Sequence, residues 1–282
     1  MKEPQPYRAG SDLTLVEEGL WEALTEAVAR AAVATLAARS NLAVRTKADH
    51  SPVTEADERS QAILLEAVAQ LMPGVVAVSE EMASLPSRLG EVFVLIDPLD
   101  GTKEYIAGST EYTVNLGIVR NRKPLAGILA VPACGLIYRG IVGIGAERLA
   151  MTPEGALASP ADISAIAVRT ASPGALRAAV SRSHIDDATV ALLDRLGVAG
   201  RVPCGSALKF CRVAEGLADI YPRLGTTCEW DVAAGHALVA AAGGSVTLPD
   251  GGVLEYGEVA RNFRIAAFIA WGDRAGVLGR AA

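Results

Sequence analysis

The stretch Val94-Leu95-Ile96-Asp97-Pro98-Leu99-Asp100-Gly101-Thr102 decides how the rest of the chain is read. With Val92 and Phe93 before it, it is an apolar run of strand length that ends in two carboxylates three positions apart. A buried strand ending in acids is costly unless something compensates the charge. Pro98 fixes a turn that lets both acids point into one space, and Gly101 lets the backbone come close to a ligand. Thr102 can open a short helix whose amides face an anion. Leu99 offers only its carbonyl, placed between the two acids. Hard oxygen ligands in this arrangement suit Mg²⁺, at about 2.0–2.1 Å. The same residues also suit a plain strand-ending turn in which Asp97 and Asp100 accept backbone amides.

Three other acidic places bear on that choice. Ser79-Glu80-Glu81 follows the preceding strand, Asp57 lies in the first turn of the helix after Pro52, and Glu229-Trp230-Asp231 sits just before a helical run ending at Gly243-Gly244. Each has a plain structural use. Asp57 can form a capping box with Thr54, Glu80 and Glu81 can be a solvated strand end, and Asp231 can favour a helix N-terminus through the dipole. Taken together, four acidic clusters at element ends point to a carboxylate-lined site for more than one metal ion.

Further outward, Leu13 to about Arg39 reads as an Ala-rich amphipathic helix. The polar stretch Ser40 to Ser51, with Arg45, Lys47 and Asp49, reads either as a mobile loop ordered by metal or as a plain solvent loop, and Ser51-Pro52 ends it. A second helix runs from about Thr54 to Leu71 and stops at Pro73-Gly74. Val75–Val78 and the Val92–Ile96 run are strands, and Thr113–Val119, Pro124–Val131 and Gly135–Val142 form an antiparallel meander. The polar segment Thr152 to Asp162 marks a boundary, which divides the chain into an N-terminal half, residues 1–155, and a C-terminal half, residues 156–282. Beyond it, Ile166–Val168 is expected as a strand, Ala175–Ser181 and Ala188–Leu196 as helices, and Arg201–Pro203 as a strand. Ser206–Glu215 (helix), Asp219–Tyr221 (strand), Val232–Ala242 (helix) and Phe263–Ala270 (strand) continue an α/β alternation of helices layered on sheets.

The chain has 282 residues, 51% of them hydrophobic, enough for a large packed core. A net charge of -6 and few, scattered aromatics argue against nucleic acid and acidic membranes as partners, but not against a small anion. Cys134, Cys204, Cys211 and Cys228 show no zinc-ligand spacing and read as reduced thiols. With a start, Met1-Lys2-Glu3-Pro4, that lacks the pattern of a signal peptide, they suit the cytoplasm. Gly143-Ile144-Gly145 lacks the third glycine of a dinucleotide fingerprint, and neither a Walker loop nor a G-x-S-x-G elbow is present.

Ser51-Pro52-Val53-Thr54-Glu55-Ala56-Asp57, Ser79-Glu80-Glu81, Asp97 to Thr102 and Glu229 to Ala234 resemble, in order and spacing, the signature segments of the inositol-monophosphatase superfamily. Within it the chain looks most like the CysQ-type bisphosphate nucleotidases. That likeness rests on Lys103-Glu104-Tyr105, Gly205 to Phe210, Ala214-Glu215-Gly216, Tyr221-Pro222-Arg223 and Trp230 to His236. The resemblance implies a layered αβαβα sandwich of the sugar-phosphatase type, with a large antiparallel sheet and most metal ligands in the N-terminal half. It implies one Mg²⁺ on Glu80, Asp97 and the Leu99 carbonyl, a second on Asp97, Asp100 and Asp231, and it allows a third near Glu80. Thr102, oriented by Asp57, would accept a hydrogen bond from the attacking water, and the Gly101 and Thr102 amides would bind phosphate. His184, Ser206, Lys209 and Arg223 fall where the family contacts nucleotide. His50 has no assigned role, and His236 is expected to face the interior. The implied reaction is hydrolysis of 3'-phosphoadenosine 5'-phosphate to AMP and phosphate, by a Li⁺-sensitive monomer or homodimer that clears a by-product of sulfate assimilation. An inositol-phosphate phosphatase with the same metal site is the nearest alternative, and a non-catalytic phosphate- or metal-binding domain a further one.

Overall fold

The computed structural model describes residues 18–47, 51–157, 162–172, 174–182 and 185–279. Helix α1 (Glu18–Ala38) buries Leu20, Leu24, Val28 and Ala31, a spacing that makes one apolar face. A small antiparallel pair, β1 (Val44–Thr46) and β2 (Pro52–Thr54), leads into α2 (Glu55–Leu71). The first sheet holds β3 (Val76–Ser79), β4 (Val92–Asp100), β5 (Thr113–Arg120), β6 (Lys123–Val131), β7 (Leu136–Ile141), β8 (Gly145–Ala150) and β9 (Ser164–Ile166), side by side in chain order. Helix α3 (Thr102–Ile106) interrupts it after β4. Only β3 and β4 pair in parallel, and the rest form the antiparallel meander expected from the short turns.

The remainder supplies β10 (Arg177–Ser181), α4 (Asp187–Arg195), β11 (Gly200–Cys204), α5 (Leu208–Ala214), β12 (Ile220–Arg223) and β13 (Thr227–Cys228). It continues with α6 (Glu229–Ala241), β14 (Ser245–Thr247), β15 (Arg264–Ile265), β16 (Phe268–Trp271) and α7 (Arg274–Leu278). The second sheet has the order β11-β10-β12-β16-β14. No helix among the described residues is long and apolar enough to cross a membrane.

Side-chain alternation along β4 sorts the layers. Val94 and Ile96 pack with Leu24, Val28, Leu64 and Val68, so α1 and α2 cover the outer face of the first sheet. Phe93 and Leu95 face the other way, into a core with Phe210 of α5, Val232 and Leu238 of α6, and Tyr221 of the second sheet. Leu192 of α4 and Val277 of α7 cover the far face of that sheet with Val180 and Ile269. The result is an αβαβα sandwich.

Helix α6 is apolar on nearly every side because it lies between two sheets. It rests almost directly on the first: a Cβ at Gly127 would fall 2.2 Å from the Ala234 carbonyl oxygen. Gly127→Ala must therefore push the helix off the sheet. It is expected to lower stability by about 1–3 kcal/mol or more, read as a shift in the urea unfolding midpoint.

Four elements differ from the sequence reading. The polar stretch read as a loop contains β1, which pairs with β2. Ala175–Ser181 is not a helix, and its last residues form β10. Its alanines favour helix locally, but the segment is central in the second sheet, between β11 and β12, where small buried residues fit and the sheet overrides propensity. Phe263–Ala270 is two strands with different partners: Arg264–Ile265 pairs with β13, whereas Phe268–Trp271 lies in the second sheet between β12 and β14. The left-handed φ of 50° and 58° at Asn262 and Phe263 turns the chain just before the first of them. The strand expected at Ile166–Val168 runs over Ser164–Ile166 and edges the first sheet.

Candidate active site

Strand β4 runs on past its apolar residues to Asp100, and its pairing with β5 shifts between Asp97 and Asp100. This irregularity carries the chain from a core strand into the first turn of α3. Gly101 sits there at φ 95°, a left-handed conformation that glycine adopts without steric cost. A Cβ at Gly101 would stand 3.4 Å from both Ser206 and Tyr112.

Asp97, Asp100 and Asp231 are each fixed through one oxygen. Asp97 Oδ1 accepts the Leu99 amide at 3.0 Å. Asp100 Oδ2 accepts the Ser206 hydroxyl and the Ala207 amide, both at 2.6 Å. Asp231 Oδ2 accepts the Thr227 hydroxyl and, at 3.1 Å, the Cys228 amide. Asp57 Oδ2 accepts the Thr54 amide and hydroxyl at 2.8 and 2.7 Å. The capping roles open to Asp57 and Asp231 are thus both real, and each uses only one oxygen. Asp57 Oδ1 takes the Thr102 hydroxyl at 3.3 Å, and that hydroxyl also lies 3.2 Å from the Leu99 carbonyl.

Glu80, Asp97 and Asp231 each bring a carboxylate oxygen to within 4.8 Å of the others. The three come from the end of β3, from β4 and from the first turn of α6, elements brought together only by the fold. Lys47 is the cation in contact, its ammonium 3.1 Å from Glu80 and 2.5 Å from Glu81. Burial opposes its charge, but Glu80 and Glu81 outweigh that and hold its pKa above the ordinary lysine range.

One lysine does not neutralise the cluster. Burial, with the charges of Asp231 and Glu81, pushes Glu80 up to about 7 against the pull of Lys47. Burial first, then Glu80, Asp100 and Asp231, raises Asp97 well above the usual carboxylate range. Asp231 is raised by burial and by Asp100, and Asp57 by burial. Carboxylates fixed by neighbours, mutually repelling and with oxygens to spare are a donor set that fits a hard divalent cation. Glu80, Asp97, Asp100, Asp231 and the Leu99 carbonyl would hold it.

Two cavities open beside the cluster. One, about 140 Å³, is lined by Asp100, Asp231, Thr227 and Ser206. The other, about 320 Å³, is lined by Val180, Ile185, Thr189 and Pro222. Ser181, Lys209, Tyr221 and Arg223 line both. Lys209 is buried, donates to the carbonyls of Ser206 at 2.7 Å and Cys204 at 3.3 Å, and lies 5.2 Å from the Tyr221 ring centre. Arg223 is exposed, makes no ion pair among the described residues, and donates to the Thr226 carbonyl at 3.3 Å.

His184, like Asp49 and His50, lies outside the described residues. His236 is buried, 2.9 Å from the Tyr256 hydroxyl, and burial lowers its pKa to about 3, so it belongs to the core. Sequence reasoning missed Thr227, whose hydroxyl fixes Asp231, and the pair Glu111–Arg182, which braces the Ser206 turn. None of the three stands in a motif of its own. Only Thr227, four positions before Asp231, carries a local cue.

With this geometry in hand, the comparisons are specific. Residues 16–272 match the inositol monophosphatase family, and the chain belongs to it. It is 39% identical over 212 residues to the 3'(2'),5'-bisphosphate nucleotidase CysQ of Salmonella typhimurium, covering 74% of this chain and 81% of that protein. The enzyme of the same name from Escherichia coli K12 is 39% identical over 76% of this chain and 82% of its own. The crystal structure of CysQ from Bacteroides thetaiotaomicron superposes with a TM-score of 0.78 at 28% identity, over 92% of this chain and 99% of that one.

Proposed function

We propose that this chain is a Mg²⁺-dependent 3'(2'),5'-bisphosphate nucleotidase that hydrolyses 3'-phosphoadenosine 5'-phosphate to AMP and phosphate. The observation that carries the reading is the placement of Lys209 and Arg223. Both line the cavity that holds Asp100 and Asp231, and both line the larger cavity next to it. A monophosphate needs charge compensation only at the acidic cluster. A bisphosphate needs a second cationic place a short distance away, with room for the nucleoside between.

Two Mg²⁺ ions in the site, when bound, would neutralise the phosphoryl oxygens, acidify a water and stabilise the leaving oxygen. The chain's own residues do the orienting. With the Leu99 carbonyl engaged by a metal ion, the Thr102 hydroxyl would donate its proton to Asp57 and keep lone pairs with which to accept from a water and aim it. Asp57 is in turn fixed by Thr54, so the hydroxyl has one preferred direction. The Gly101 and Thr102 amides, at the start of α3, lack acceptors within the helix and suit a phosphate oxygen. Lys209 and Arg223, with Ser206 beside them, would hold the phosphate that remains, and His184 would join them. The site then lies where the N-terminal half (residues 1–155), with most carboxylates, meets the C-terminal half (residues 156–282), with Asp231 and the cations. Inhibition by Li⁺ and a role in sulfate assimilation, as the family resemblance implies, and a cytoplasmic setting, which the unpaired cysteine spacing suits, complete the proposal.

The test is phosphate release from 3'-phosphoadenosine 5'-phosphate and from inositol 1-phosphate, each with Mg²⁺ and with EDTA. Mg²⁺-dependent release from the nucleotide is expected, and Lys209→Met is expected to raise its KM about tenfold or more. Release mainly from inositol phosphate would discard the nucleotide pocket and leave the metal site. Phosphate binding without release from either would favour a non-catalytic domain.

A further inference from the structure

Glu111 and Arg182 form a two-point ion pair. Arg182 Nε donates to Glu111 Oε2 at 2.7 Å and Arg182 Nη2 to Glu111 Oε1 at 2.6 Å. The pair joins the two sheets, since Glu111 lies just before β5 of the first and Arg182 just after β10 of the second. It also grips the turn between β11 and α5 from both sides. Glu111 Oε2 accepts the Gly205 amide at 3.0 Å, and Arg182 Nη2 donates to the Pro203 carbonyl at 2.8 Å. The contact is close, for a Cβ at Gly205 would fall 2.7 Å from the Glu111 carbonyl oxygen. The Arg182 guanidinium holds the Glu111 carboxyl below the usual carboxylate range, so the pair stays charged at neutral pH.

The gripped turn contains Ser206 at φ 53°, a left-handed conformation that a non-glycine residue keeps only where its surroundings enforce it. Ser206 is also where the acidic cluster and the cationic pocket meet. Its hydroxyl donates to Asp100, and its carbonyl accepts the Lys209 ammonium at 2.7 Å. Neither Glu111 nor Arg182 is among the residues that line the two cavities, whereas Gly205 and Ser206 of the turn they grip line the smaller one.

We infer that Glu111 and Arg182 are positioning residues for the retained phosphate of the substrate: together they hold Ser206 in its left-handed turn, and Ser206 holds Lys209 at the junction of the two cavities. The inference rests on the bisphosphate reading above. It extends that reading to a pair of residues outside the pocket.

The experiment is steady-state kinetics on 3'-phosphoadenosine 5'-phosphate with Mg²⁺ for the parent, Glu111→Gln, Arg182→Met, Arg182→Lys and the Glu111→Gln/Arg182→Met double variant, with Tm for each. Either single variant is expected to raise KM about tenfold while kcat stays within about twofold, and the double variant to be no worse than the poorer single one. Arg182→Lys, which keeps the charge but loses the two-point geometry, should fall between. Tm should move by no more than about 2 °C, because Arg182 is largely solvent-exposed and ion pairs with one exposed partner contribute little by themselves. KM unchanged in all variants would overturn the inference and leave the function standing. A rise with Arg182→Met but not with Glu111→Gln would also overturn it, by showing that Arg182 meets the substrate without its partner. A parent that binds and hydrolyses no bisphosphate would remove both the reading and the inference.

Discussion

Asp97→Asn is expected to lose turnover by about 10³-fold or more and, without metal, to be more stable than the parent. The two effects have one cause. Asp97 is fully buried, and it faces Glu80, Asp100 and Asp231 with Lys47 as the near cation. In the metal-free chain its charge is a liability that burial and three neighbours all oppose. Asparagine is nearly isosteric and keeps an oxygen to accept the Leu99 amide, so the turn at Pro98 survives. Removing the charge relieves the repulsion, and Tm in EDTA should rise by about 2–4 °C. The same substitution removes the carboxylate that the other donors converge on, so the gain in Tm on adding Mg²⁺ should vanish. Circular dichroism, Tm with and without Mg²⁺, and phosphate release together check this. A variant with near-parent turnover, or one that unfolds in EDTA, would show that Asp97 is a structural acid rather than a ligand. Sites of this kind commonly trade stability for function, and a rise in Tm with a loss of rate is its signature.

How much of this was legible in the sequence depended on how local each cause is. The meander was legible because its strands are neighbours in the chain and its turns are short. The clustering of Asp97 and Asp100 was legible because Pro98 and Gly101 constrain a few bonds around them. Asp57 was open to two readings; the capping box is present and occupies one oxygen, and the other oxygen lies 3.3 Å from the Thr102 hydroxyl, so the two readings do not compete. Ala175–Ser181 misled because its composition reports local helix preference, whereas its strand state is set by β11 and β12 on either side. Glu111–Arg182 was beyond sequence reasoning for a similar reason. The two are 71 residues apart, beside strands of different sheets, and neither type nor spacing marks them out. The proximity of Lys47 to Glu80 and Glu81 likewise appears only once β3 and the polar loop are packed together.

The gain in Tm on adding Mg²⁺ is expected to grow as pH rises from about 5.5 to 8. The sign follows from the carboxylates. Glu80 is pushed up to about 7, and Asp97 and Asp231 are also raised, each first by burial. Between the ordinary carboxylate range and these raised values, the metal-free folded chain holds protons that the unfolded chain has released. Its stability is therefore fully present below the unfolded pKa and lost as pH climbs through the folded one. A bound divalent cation replaces those protons, so its contribution is least where the cluster is protonated and largest where it is bare. His236 acts in the opposite sense. Lowered to about 3 by burial, it costs stability as pH falls below the ordinary histidine range. It lies in the core with Tyr256 as its partner, so its effect is the same with and without Mg²⁺ and cancels in the difference. Thermal unfolding at a series of pH values, in EDTA and in saturating Mg²⁺, gives that difference directly. At the alkaline end the gain should reach about 5 °C or more, and Asp97→Asn should flatten the curve. A gain that is the same at pH 5.5 and 8 would mean that Mg²⁺ binds elsewhere and that these carboxylates are not its ligands.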